Sequence, residues 1–196
     1  MKKDTDELIR TFIAVELPEE ISKNLLKLQN DMKSSMPDVR WTKYGNIHLT
    51  LKFLGDTKIS KIEAISKALQ GIADEFSPFV ISLAGIGAFP NSKKPSVVWT
   101  GIEKGANETV RLANDIESSM EKFGFPKEKR SFKPHLTIGR VREINYPSAM
   151  MKALENPGIG EIGEFTVDGI RLIKSQLDPA GSIYTMLAEA LFKIVK

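Results

Sequence analysis

Alternating apolar and polar residues define two stretches of this sequence: Ile47-His48-Leu49-Thr50-Leu51-Lys52-Phe53-Leu54 and Pro134-His135-Leu136-Thr137-Ile138-Gly139-Arg140. Such alternation predicts half-buried β-strands. The two stretches contain the only two histidines of the 196-residue chain, and His-Leu-Thr occurs in both. Threonine two places after both histidines by chance has a probability of roughly 1 in 400, which bounds the false-positive risk of so short a motif. Two structurally equivalent positions explain the pair better than coincidence does.

Strand geometry assigns a face to each residue, because side chains two apart point the same way. With strict alternation, four apolar side chains of the first stretch point into the core: Ile47, Leu49, Leu51 and Phe53. It leaves His48, Thr50 and Lys52 on the opposite face. In the second stretch it places His135 and Thr137 together on the outer face. Each strand is therefore expected to present an imidazole beside a hydroxyl.

An internal strand–helix–strand repeat is expected over about residues 11–54 and 97–141. Strand-like runs at 11–17 and 47–54 match runs at 97–102 and 135–141. Between the two runs of each pair, apolar residues recur with the spacing of one face of a helix. Phe12 lies 36 residues before His48, and Trp99 lies 36 residues before His135. A further helical stripe occupies 62–76, and further strands are predicted at 79–86, 165–173 and 183–191. Two similar lobes facing each other would bring the histidines to one cleft.

Composition indicates one soluble globular domain over residues 1–196, with 41% hydrophobic and 27% charged residues. The absence of cysteine excludes thiol nucleophiles and cysteine-based zinc sites. The amino terminus lacks a signal-peptide apolar run, and no stretch approaches the ~20 apolar residues of a membrane span. We therefore expect a cytoplasmic protein without a membrane partner, and a monomer by default. The net charge of +3 is weak, but basic residues cluster at Lys127, Lys129, Arg130, Lys133, Arg140 and Arg142. That cluster is either a solvated face or an anion-binding surface.

Two histidines and two threonines suit phosphodiester cleavage. Imidazole titrates near pH 6.5, so one ring can accept a proton while the other donates one. The hydroxyls of Thr50 and Thr137 are candidate donors to phosphate oxygens. One alternative is a structural role, with both histidines hydrogen-bonded on half-buried strands. Another is a metal site, but two histidines alone do not fill zinc coordination, so neither a metal nor another cofactor is expected.

Around these motifs the chain resembles the two-histidine (2H) phosphoesterase superfamily, which is defined by paired His-x-Thr/Ser-x motifs. More narrowly, it resembles the bacterial and archaeal RNA 2′,3′-cyclic phosphodiesterases, historically called 2′-5′ RNA ligases. The similarity begins at Arg10-Thr11-Phe12-Ile13-Ala14-Val15-Glu16-Leu17-Pro18 and passes through both histidine motifs. It ends in Ser175-x-Leu177-x-Pro179-x-Gly181-x-x-Tyr184, so it covers nearly the whole chain.

The resemblance implies an α+β fold of two pseudo-symmetric lobes, each with an antiparallel sheet and outer helices, and an active-site cleft between them. It implies that His48 donates a proton to the departing 3′ oxygen and that His135 activates water, which leaves a 2′-phosphomonoester. It also implies that Arg140 contacts the phosphate. Strict alternation would turn Arg140 away from His135, so a bulge at Gly139 is needed.

Two further substrate contacts are candidates. Phe12 matches the family position whose aromatic ring stacks on the terminal base, although core packing is the alternative for this residue. Lys52 is a candidate phosphate contact because alternation places it on the His48 face.

The expected partner is RNA that ends in a 2′,3′-cyclic phosphate, with tRNA fragments among the candidates. The same site run backwards would join a 5′-hydroxyl to the cyclic phosphate in a 2′-5′ linkage. Small cyclic nucleotides and 2′-5′ oligoadenylates are other possible substrates. A different class of function is an RNA-end binding protein with incidental activity, in which the basic cluster dominates affinity.

Overall fold

The computed structural model describes residues 7–143, 147–155, 160–179 and 181–193. Within them lie nine strands: β1 (Leu8–Val15), β2 (Val39–Trp41), β3 (Leu49–Lys58), β4 (Phe79–Phe89), β5 (Val97–Ile102), β6 (His135–Val141), β7 (Glu161–Val167), β8 (Gly169–Gln176) and β9 (Ile183–Leu191). The same ranges contain four α-helices: α1 (Glu19–Met32), α2 (Ile62–Ala73), α3 (Ala106–Glu121) and α4 (Pro147–Leu154). A short 3₁₀ turn, Ile59–Lys61, leads into α2.

The strands form two sheets in which every pairing is antiparallel. The first sheet has the order β3-β1-β8-β9, and the second has the order β2-β6-β5-β4-β7. The two-sheet α+β fold expected from the sequence is therefore confirmed. Helix α3 joins β5 to its sheet neighbour β6 directly, whereas the connection between the neighbouring strands β1 and β3 contains α1 and then the short strand β2 of the other sheet. The internal strand–helix–strand repeat over about 11–54 and 97–141 stays a prediction.

The apolar stripes of the predicted helices pack against the sheets. Ile21 and Leu25 of α1 are buried, as are Ile65 of α2 and Ile116 of α3. Helix α1 contacts β7, α2 contacts β8 and β9, and α3 contacts β3. Each fully buried Leu or Ile stabilises the fold by about 1.5–3 kcal/mol relative to an exposed one. These contacts hold the two sheets in one body.

The single strand predicted at 165–173 is wrong, because the chain passes from one sheet to the other within it. Strand β7 ends at Val167 and belongs to the second sheet, while β8 starts at Gly169 in the first. Asp168 lies between them, and its carbonyl accepts a hydrogen bond from Phe192 N at 2.8 Å. A Cβ at Gly169 would lie 2.5 Å from the carbonyl oxygen of Ala190, so only glycine fits this close approach.

Candidate active site

Strand β3 does not alternate strictly, because its register against β1 shifts twice. Thr50 pairs with Ala14 and Lys52 with Ile13, so Leu51 has no partner in β1. A second shift leaves Leu54 unpaired. An extra residue in one strand reverses the phase of the side chains that follow it. Lys52 is consequently buried, and Phe53, which strict alternation turns inward, is 63% exposed.

Strand β6 has the same irregularity at the same place. Trp99 pairs with Thr137 and Val98 with Gly139, so Ile138 has no partner in β5. Leu51 and Ile138 are each the third residue after a histidine. Gly139 is pressed against β2, where a Cβ would lie 2.4 Å from Val39 Cγ1. The bulge that Arg140 requires is therefore present, one residue earlier than expected.

A cavity of about 340 Å³ lies between the two sheets. It brings together four of the predicted site residues: His48, Thr50, Thr137 and Arg140. Its other walls are Arg40, Trp41, Thr42, Lys43, Asn46, Phe53, Leu177, Asp178, Gly181, Ser182 and Tyr184. His135 is not among the lining residues, but it shares the Thr137 face at the start of β6. It therefore lies beside the cavity rather than in its wall.

Both imidazoles are anchored in the same way. His48 Nδ1 lies 3.0 Å from Asn46 O, and His135 Nδ1 lies 2.7 Å from Lys133 O. In each case the partner is the carbonyl two residues earlier. A carbonyl oxygen only accepts, so each Nδ1 carries the proton and donates it. Each Nε2 is thereby left as the nitrogen available for chemistry.

Aromatic rings surround both histidines. Phe12 stacks on His48 with a centroid distance of 4.6 Å, and Tyr184 meets the same imidazole edge-on at 5.2 Å. Phe89 meets His135 edge-on at 4.9 Å, and Trp99 lies 6.4 Å away. Phe12 is only 3% exposed. Its predicted stacking on a base is therefore wrong, because His48 covers the ring; core packing, the alternative, describes it.

Burial disfavours the charged form of both imidazoles. It lowers the pKa of His48 from 6.5 to about 4, and the hydrogen bond to Asn46 O offsets this effect only in part. Burial also lowers the pKa of His135, again opposed by the hydrogen bond to its backbone partner, Lys133 O. Both rings are therefore neutral near pH 7 before any anion binds.

The prediction that Lys52 shares the His48 face is wrong, and so is its assignment as a phosphate contact. The bulge at Leu51 turns it to the opposite side, where Nζ bonds Glu117 Oε2 at 2.7 Å and Pro126 O at 3.0 Å. Glu117 Oε2 also accepts a bond from Glu128 N at 3.3 Å. Lys52 thus connects β3 to α3 and to the segment that precedes the second histidine motif.

Two polar side chains that sequence reasoning missed hold the loops of the site. Gln29 Nε2 donates to Thr42 O at 2.9 Å and to Ile138 O at 2.8 Å, so it holds the bulge of β6. Asn46 Nδ2 donates to Ser182 O at 2.8 Å, which ties the loop before His48 to the β8–β9 hairpin. Gln29 could have been identified from the sequence, because it is a polar residue on the apolar, buried face of α1, where a side chain needs a hydrogen-bond partner.

The described residues contain no group of three or more histidine, aspartate and glutamate side chains able to hold a metal ion. Among the same residues, no helix is long and apolar enough to cross a membrane.

Two antiparallel sheets, each with a His-Leu-Thr motif where one of its strands begins and with a cavity between them, define a phosphoesterase of the two-histidine class. A family model described as LigT-like phosphoesterase matches residues 15–99 and 101–184. The chain belongs to this family.

Curated relatives and solved structures agree with that membership. The chain is 34% identical over 178 residues to an RNA 2′,3′-cyclic phosphodiesterase of Methanothermobacter thermautotrophicus, which covers 90% of this chain and 95% of the relative. It is 39% identical over 152 residues to one of Aquifex aeolicus, which covers 76% and 80%. The crystal structure of E. coli LigT complexed with 3′-AMP matches with a TM-score of 0.79 and 27% identity, covering 96% of this chain and all of that one.

Proposed function

We propose that this protein hydrolyses RNA 2′,3′-cyclic phosphate ends to 2′-phosphomonoesters by metal-independent acid–base catalysis with two histidines. The observation that carries the proposal is the matched anchoring of His48 and His135 at Nδ1, with Thr50, Thr137 and Arg140 lining the adjoining cavity. The names of the curated relatives support a cyclic phosphate of RNA as the substrate.

The proposed reaction exchanges one P–O bond for another. His135 Nε2 takes a proton from water while the water oxygen attacks phosphorus. The bond from phosphorus to the 3′ oxygen breaks, and His48 Nε2 gives that oxygen its proton. The 2′ ester remains, so the product is a 2′-phosphomonoester. General acid–base help of this kind contributes about 10²–10⁴-fold per group.

Charge on the phosphate is stabilised by the groups that face it. The hydroxyls of Thr50 and Thr137 and the guanidinium of Arg140 donate hydrogen bonds to the non-bridging oxygens. An anionic phosphate beside a buried imidazole favours the protonated ring and so raises the pKa of His48. The proton used by the acid is therefore stabilised by the substrate itself. Two histidines alone do not fill a zinc site, and no group of three or more potential ligands occurs among the described residues, which supports activation of water by His135.

Replacing the bridging 3′ oxygen of the substrate by sulfur tests the assignment. A thiolate leaves without a proton, so His48→Ala is expected to lose about 10²–10⁴-fold on the oxygen substrate and much less on the sulfur substrate. His135→Ala is expected to lose a similar factor on both. Wild-type turnover with chelator present, and the 2′ position of the product phosphate, are measured alongside.

Three outcomes contradict the proposal. Rescue of His135→Ala by sulfur, with none for His48→Ala, would exchange the two roles. Normal turnover by either variant would remove that histidine from the chemistry. Binding of RNA ends without any turnover by the wild type would favour a binding protein.

A further inference from the structure

Two arginines lie side by side in the wall of the cavity, on the adjacent strands β2 and β6. In the β2–β6 pair, Arg40 lies directly opposite Arg140. Both side chains are exposed, and both line the cavity that contains His48. Like charges directly opposite each other in a sheet are destabilising. The fold therefore carries a local electrostatic cost at the rim of the site.

A third cation lies on the same wall. Lys43 follows β2 and lines the cavity, and its side chain runs along the β8–β9 hairpin, where a Cβ at Gly181 would lie 3.2 Å from Lys43 Cε. Within the described parts of the chain, neither Lys43 nor the two arginines forms an ion pair. Among the described residues that line the cavity, Asp178 has the one carboxylate.

The number of cations exceeds what one cyclic phosphate needs. A 2′,3′-cyclic phosphate is a diester with one negative charge, and Arg140 with the two threonines already addresses it in the proposed function. A cyclic phosphate also ends its chain, so the nearest covalently attached phosphate lies on the 5′ oxygen of the same nucleoside. Arg40 and Lys43 are therefore not needed to bind the cyclic phosphate, and they are suited to bind the phosphate on the 5′ oxygen.

We propose that Arg40 and Lys43 form a second anion subsite for the phosphate on the 5′ side of the terminal nucleoside. This inference rests on the proposed function. The subsite makes the enzyme prefer RNA ends and 5′-phosphorylated nucleoside cyclic phosphates over an unphosphorylated nucleoside 2′,3′-cyclic phosphate. Because the 5′ phosphate does not react, the preference lies mainly in KM.

The test compares adenosine 2′,3′-cyclic phosphate with and without a 5′ phosphate, because only the 5′-phosphorylated substrate can occupy the subsite of Arg40 and Lys43. Wild type is expected to favour the 5′-phosphorylated substrate by about 10- to 100-fold in kcat/KM, the range of a charge-assisted contact. The double variant Arg40→Gln/Lys43→Gln is expected to lose that preference, because its loss in kcat/KM should be about 10- to 100-fold larger on the 5′-phosphorylated substrate than on the unphosphorylated one. Its log KM for an oligonucleotide should depend less on log salt, by about 0.7 for each phosphate that the variant no longer binds. Lys27→Gln, on the exposed face of α1, is the matched control.

Binding of products tests the subsite without turnover. Calorimetry is expected to show tighter binding of adenosine 2′,5′-bisphosphate than of adenosine 2′-monophosphate, and the double variant should remove the difference. A wild type that fails to cleave either substrate but shows this difference would refute the proposed function and keep the subsite. Equal kinetic constants and equal binding with and without the 5′ phosphate would overturn the subsite alone. Equal losses by the double variant on both substrates would also overturn it, because they would place these cations at the reacting phosphate.

Discussion

Replacing His48 by glutamine is expected to remove a large part of the acid sensitivity of the fold. Burial lowers the pKa of His48 to about 4 in the folded protein, whereas an unfolded chain holds an imidazole near pKa 6.5. Between those values the unfolded state binds a proton that the folded state does not. The resulting stability is complete above about pH 6.5 and is lost as pH falls towards about 4. The sign is that of a histidine buried in its neutral form.

The size of the effect follows from the shift in pKa. One pKa unit corresponds to about 1.36 kcal/mol, so lowering the pH from about 7 to about 4.5 should cost wild type about 2.5 kcal/mol through this residue. Urea unfolding at the two pH values measures the free energy of unfolding for wild type and for His48→Gln. Carboxylates titrate in both proteins, so the difference between the two losses isolates the histidine.

Equal acid sensitivity in both proteins would refute this reasoning, because His48 would then titrate alike in the folded and unfolded states. His135→Gln serves as the companion measurement. The pKa of His135 is lowered in the same direction, so its removal is expected to reduce acid sensitivity too, but by less than the removal of His48 does.

Two side chains behind the site have separable effects. Lys52→Met is expected to cost about 3–5 kcal/mol in urea unfolding because it leaves Glu117 near the interior without its partner; Lys67→Met, in an exposed pair, is the control and should change nothing measurable. Recovery in Lys52→Met/Glu117→Leu would confirm the cause, and its absence would contradict it. Gln29→Leu removes the side-chain donor to Thr42 O, whereas Ile138 O keeps its hydrogen bond from Thr42 N at 2.9 Å, so the expected cost is about 1–3 kcal/mol for the one unpaired carbonyl. It should also raise KM, because Arg140 follows the bulge that Gln29 holds; an unchanged KM would leave Gln29 a purely structural role.

Much of the fold was predictable because alternation and helical periodicity are local patterns. The sheets and the three main helices follow from those patterns, and the paired motifs identify the family. Strand β2 was not predicted because three residues are too few to show an alternating pattern. Its pairing with β6 also depends on residues that are far away in the sequence. The passage between sheets at Asp168 was missed for a similar reason, since apolar residues continue on both sides of it.

The site was predicted less completely than the fold, because the face of a strand on which a side chain lies depends on bulges that the local sequence does not reveal. Leu51 looks like any apolar residue of an alternating strand, so nothing in the sequence indicates the bulge there. That one shift exchanged the predicted positions of Lys52 and Phe53. Phe12 was ambiguous in the sequence because an aromatic residue within an apolar strand suits core packing as well as stacking on a base. Arg140 was expected at the site from the family resemblance, against strict alternation, and the glycine beside it suggested the irregular strand that brings it to the cavity.

The matching bulges of β3 and β6 divide each strand into two independent segments. The residues before the bulge orient an imidazole and a hydroxyl, whereas the first outward residue after it is Phe53 in one strand and Arg140 in the other. Exchanging either of these later residues leaves the register of the histidine segment unchanged. Under the proposed function, a change at Phe53 can therefore alter which nucleotides bind, and a change at Arg140 can alter the hold on the phosphate, while the imidazole and hydroxyl of each strand keep their arrangement.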